Sequence, residues 1–160
     1  MLFRSSYFFM FPLTIAILGF MVGSVSLGAM LIGPLLGAFC VLLIGMIIEK
    51  KKFVCVYSAL LLCLVPGAVY VFSHANSRIL SFFFMLVALH MHMKDVKWRW
   101  LFLGLGMISH LTAGIIFTVL YAGFMFKKDK VTGLIKDILY AVLFACFYYV
   151  PYFAGIYLWV

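Results

Sequence analysis

From Ser5 to Ile48 the chain carries no charged side chain, and further apolar runs follow, each closed by a short polar stretch. A helix rises about 1.5 Å per residue, so about 20 residues cross a hydrocarbon core of roughly 30 Å. The pattern therefore predicts membrane-spanning helices. The first run divides at the weakly polar turn Gly23-Ser24-Val25-Ser26-Leu27-Gly28 into spans over 7–22 and 29–48. A third span is expected over 53–72, bent near its end by Pro66-Gly67, and a polar loop from Ser73 to Arg78 follows it. The fourth run, 79–93, reaches only about 22 Å as a helix. It crosses if Ser77 and Lys94 extend it or if the bilayer thins. A last span over 138–160 ends among Tyr148, Tyr149, Tyr152, Tyr157 and Trp159, an interfacial aromatic belt.

The fifth run, 100–126, admits two topologies. As one tilted helix it puts Arg78, Lys127, Lys128, Lys130 and Lys136 on one side, five cations against seven (Arg4, Lys50, Lys51, Lys52, Lys94, Lys97, Arg99). Broken at Ser109-His110-Leu111-Thr112-Ala113-Gly114 and returning, it leaves eleven cations against Arg78 alone. The positive-inside rule favours the break, whereas arms of about 13 residues are short for a crossing. Within the spans, Gly19 and Gly23, and Gly33 and Gly37, form GxxxG pairs that let helix backbones approach and associate. Pro34 and Pro151 are expected to bend their helices.

Composition fits this reading. The chain is 68% hydrophobic and 10% charged with a mean hydropathy of +1.27, far from the roughly 25% charged residues of a soluble domain. The expected fold is all-α, a single polytopic integral membrane bundle over 1–160, with about six transmembrane segments (five to seven) and one broken or re-entrant near His110. A cleaved signal peptide is not expected, because the first apolar block exceeds an ordinary h-region. The net charge of +8 resides in short clusters between apolar runs, with Trp98 and Trp100 beside one of them, so membrane lipid rather than nucleic acid is the expected partner. Cys40, Cys55, Cys63 and Cys146 all lie in apolar runs without CxxC or Cys/His spacing, which predicts packing rather than a zinc site or a disulfide framework.

Few residues offer chemistry. Glu49, Asp95, Asp129 and Asp137 all border loops, which leaves no intramembrane acid for proton coupling. His110 lies within an apolar run beside Ser109 and Thr112, and an ionisable ring there either bonds a neighbouring helix or serves a site. His90 and His92, two apart, point to different helix faces and are expected at the interface rather than on a shared metal. Arg78 is the one cation of its loop, either an interfacial anchor or a forked donor for an anionic headgroup, and His74 and Asn76 add polar recognition groups beside it.

The stretch from Val71 to Phe126 resembles a segment of the bacterial O-antigen and exopolysaccharide polymerases. Arg78 matches the arginine that opens a short apolar helix after a polar loop; Met107-Ile108-Ser109-His110 with Thr112-Ala113 matches the later apolar-apolar-His-small pattern that ends a helix. The resemblance covers about a third of the chain. It implies a bacterial cytoplasmic (inner) membrane location and transfer of a polyprenyl-diphosphate-linked glycan to another lipid-linked repeat. Arg78 and His110 would be catalytic, stabilising the departing diphosphate and acting as base or orienting partner for the acceptor hydroxyl; His74 and Asn76 would bind substrate, with no cofactor or metal. Family members are more than twice as long and carry a large external loop, and their usual Gln after the Arg is Ile79 here, so a truncated or divergent relative is implied. The alternative is a small non-enzymatic membrane protein: an accessory, immunity or exclusion factor, or a transporter subunit.

Overall fold

A computed structural model describes residues 10–48, 76–126 and 131–158. They form six helices and no strand: α1 (Met10–Val22), α2 (Val25–Ile48), α3 (Ser77–Met93), α4 (Arg99–Ser109), α5 (Leu111–Met125) and α6 (Val131–Leu158). The expected span over 53–72, with Cys55 and Cys63, lies outside the described residues, as do His74, Arg4, Lys50 to Lys52 and Lys127 to Lys130. By length and composition, two helices suit a membrane crossing, over Val25–Ile47 and Thr132–Val150; the other described helices are shorter.

The turn between α1 and α2 is tighter than the sequence predicts. Only Gly23 and Ser24 lie outside helix, because Gly23 takes a left-handed φ of 75° that a residue with a Cβ disfavours. Gly23 therefore makes the turn instead of pairing with Gly19 on a helix face. The close approach is Gly19 against Gly28: a Cβ on Gly28 would stand 2.5 Å from the Gly19 nitrogen. Gly33 and Gly37 are buried on α2, which runs unbroken through Pro34.

Contacts along the helices fix their directions. Ile32 and Leu36 of α2 join Ile79 and Leu80 of α3 in one cluster, while Cys40 joins Met85 and Leu86 further along, so α2 and α3 are parallel. α4 returns antiparallel to α3: Ser81 Oγ donates to the Gly106 carbonyl at 2.8 Å, and the Phe84 and Phe102 rings lie 6.2 Å apart. The chain then breaks at His110 (φ −161°, ψ 106°), and α5 runs back parallel to α3, with Phe82 on Phe117 and His92 on Tyr121. α6 lies along α4 in the same direction, from Arg99 against Asp137 to Tyr149, whose hydroxyl donates to the Met107 carbonyl at 2.7 Å.

α4, the shortest helix, thus packs against α3, α5 and α6. Its glycines permit this. A Cβ on Gly106 would meet the Ser81 carbonyl oxygen of α3 at 3.3 Å, and α5 crosses so closely at Gly114 that a Cβ there would collide with the Met107 backbone. The α4–α5 pair is a helical hairpin with His110 at its apex. Both α4's start and α5's end lie beside the Lys94–Trp98 turn, which is the broken arrangement of the fifth run rather than a single tilted helix. α6 begins at Val131, earlier than the expected 138, and this carries Asp137 into a helix with only 7% of its surface exposed. The expectation that Asp137 borders a loop is corrected accordingly: its pairing with Arg99 offsets the cost of burying the carboxylate.

Candidate functional site

Asn76 precedes α3 with extended backbone (φ −134°, ψ 126°), and its Oδ1 accepts the Arg78 amide at 3.0 Å. This is an ordinary N-cap, which satisfies an amide the helix leaves without a partner. Capping points Asn76 at its own backbone. Arg78, in the first turn, is exposed. Ser77 beside it is 1% exposed, and its hydroxyl has no hydrogen-bond partner among the described residues.

His110 reaches the same end of the bundle through the α4–α5 hairpin. The Ser81–Gly106 contact sets the antiparallel register of α3 and α4, and one turn further along each helix brings Ser77 to the level of His110. Arg78 stands near enough that its charge lowers the proton affinity of the imidazole. Burial is the larger cause and Arg78 the second, against an opposing hydrogen bond to its own backbone, so His110 titrates below the ordinary imidazole value. The ring also caps α5. Its Nδ1 accepts the Ala113 amide at 3.3 Å, the task Ser, Thr, Asp or Asn usually performs at a helix start. An Nδ1 that accepts leaves the neutral ring's proton on Nε2. His110 therefore presents a donor, not a base, to whatever binds beside it.

Two polar pairs that sequence reading missed lie toward the opposite end. Arg99 Nε donates to Asp137 Oδ2, joining α4 to α6, with side-chain exposures of 17% and 10%. His92, expected at an interface, is instead 4% exposed, with Nδ1 2.9 Å from the Tyr121 hydroxyl. Its neighbour His90 faces differently, as its spacing requires, and has an enclosed Nδ1 with no partner among the described residues. The only available sign of the first pair was a lone acid flanking an apolar run, a place that needs a cation. Nothing in the sequence marks the second.

Among the described residues no group of three His, Cys, Asp or Glu side chains could hold a metal ion. Cys40 is buried and Cys146 exposed, both as free thiols. Ser77, Arg78 and His110 together offer a hydroxyl, a guanidinium and an Nε2–H at one end of the bundle. That set suits an anion. No family model, curated protein or solved structure matches the chain.

Proposed function

We propose that the chain is a multi-pass membrane protein, a single polytopic bundle of about six segments (five to seven). In this reading the end bearing Arg78 and His110 faces outward from a bacterial cytoplasmic membrane and transfers glycans between polyprenyl-diphosphate carriers. The bilayer is supported by large apolar side chains left in the open, Phe20 at 90% and Phe147 at 83% exposure, which lipid would cover. The hairpin supports the orientation: Lys97, Arg99 and Lys136 lie toward the end opposite Arg78, as a cytoplasmic face requires.

The observation that carries the chemistry is the return of α4 and α5 at His110, which gathers donors where Arg78 begins α3. As the bond between the donor sugar and its diphosphate breaks, negative charge grows on the diphosphate oxygens. Arg78 and the His110 Nε2–H stabilise that charge. The acceptor hydroxyl forms the new glycosidic bond and gives its proton to the departing diphosphate. His110 thus serves the leaving group, in place of the base role that the family resemblance allows.

Asparagine at position 110 separates this role from capping, since its Oδ1 keeps the cap acceptor while its shorter side chain places no donor where the ring's Nε2–H stood. In membranes supplied with a polyprenyl-diphosphate repeat unit, His110→Asn and Arg78→Ala are expected to lose chain extension while keeping wild-type melting temperatures. Full extension by His110→Asn would reduce the histidine to a helix cap and remove the basis of the proposal.

A further inference from the structure

We infer that the Ser77 hydroxyl is a third donor of this site, held in readiness for a phosphoryl oxygen of an anionic ligand seated between Arg78 and His110. The inference rests on the proposed reading of that end and names a residue the sequence did not single out. Three observations carry it. Ser77 is 1% exposed, yet its Oγ has no partner among the described residues, and an enclosed hydroxyl without one is costly. It lies one helical turn from Ser81, on the face of α3 that meets α4, because Ser81 Oγ reaches the Gly106 carbonyl. One turn beyond Gly106 on α4 is His110, whose Nδ1 is already taken by the Ala113 amide.

The other serines and threonine buried in these helices are satisfied. Ser81 bonds Gly106, Ser109 bonds the Leu105 carbonyl at 2.8 Å, and Thr118 bonds the Gly114 carbonyl at 2.8 Å. Ser77 differs from them, and it sits at the end of α3 that lies level with His110. The α3 terminus cannot hold an anion through its amides alone, since Asn76 accepts from Arg78 through its side chain and from Ile79 through its carbonyl at 3.1 Å. Side-chain donors must do that work, with the helix dipole adding to the attraction. A diphosphate or phosphate ester offers enough acceptor oxygens for all three.

The test uses the full chain in lipid nanodiscs with two probes: inorganic pyrophosphate added to solution, and a long-chain polyprenyl diphosphate in the disc. Ser77→Ala is expected to weaken binding about tenfold or more, the effect of removing one hydrogen bond to a charged group. Its melting temperature should be unchanged or raised, because an unsatisfied hydroxyl has been removed. Ser81→Ala should do the reverse, melting earlier and binding within about twofold of wild type. A loss confined to the lipid-borne probe supports the assignment and makes the ligand a headgroup; a loss with both supports it for free diphosphate as well. Wild-type binding by Ser77→Ala alongside lost binding by Arg78→Ala would overturn the role of Ser77 alone. If Arg78→Ala also bound and extended glycans normally, the proposed function would fall with it.

Discussion

Replacing Gly114 by alanine puts a methyl group where the backbone of Met107 already stands. The new Cβ would collide with Met107 Cα and lie 2.7 Å from its nitrogen and 2.9 Å from the Gly106 oxygen. Carbon atoms in good contact stand about 3.5–4.0 Å apart, so α5 must retreat by about 1 Å, and a gap of that size forfeits a quarter to a half of each dispersion contact it opens. Because the obstruction is backbone, no rotamer change relieves it, and the cost falls at the upper end of the roughly 1–3 kcal/mol typical of overpacking. Alanine's helix propensity returns about 1 kcal/mol, leaving a net loss of about 2 kcal/mol. Gly123 on the same helix is the matched control, since a Cβ there meets nothing within 4 Å. Gly123→Ala should therefore gain up to about 1 kcal/mol, for a difference between the variants of about 3 kcal/mol. Denaturant unfolding in mixed micelles, followed by tryptophan fluorescence, measures it. Coincident unfolding curves for the two variants would refute the close crossing of α4 and α5.

Other consequences follow from the buried pairs and the site. Arg99→Ala strands the Asp137 carboxylate and should cost roughly 2–3 kcal/mol, with the Arg99→Ala/Asp137→Ala double variant recovering part of that loss in the same unfolding assay. Tyr121→Phe removes the hydroxyl bonded to His92 and should destabilise by about 1–2 kcal/mol while leaving anion binding intact. His110, whose folded proton affinity is lowered, contributes stability that is full above the unfolded imidazole value of about 6.5 and is lost as pH falls below it. An NMR titration of its ring protons should give a midpoint below 6.5 that rises in Arg78→Gln; an unmoved midpoint would deny the electrostatic contact between the two residues.

The helices were legible because uncharged runs have few alternatives, and the break at His110 was legible because the cation count favours a return over one long helix. The faces were not. Runs such as 10–22 and 111–125 are apolar all round, so no periodic stripe tells which side packs and which stays open. That is why the spacing points to Gly19–Gly23 although Gly19 meets Gly28, and why it places at an interface a His92 that is buried. As candidates, Arg78 and His110 stand out by residue type alone, whereas Ser77 does not. A serine at a helix start is unremarkable until its enclosure and its register with His110 are known.

Cysteine accessibility tests the arrangement most directly. In a background with the four native cysteines replaced, single cysteines at positions 78, 110, 97 and 136 would be probed in intact cells with a membrane-impermeant maleimide. The hairpin predicts labelling of 78 and 110 from outside, and of 97 and 136 only after permeabilisation. Labelling of 78 and 136 from one side, with 97 on the other, would mean that α4 and α5 continue across the membrane and that no shared site exists.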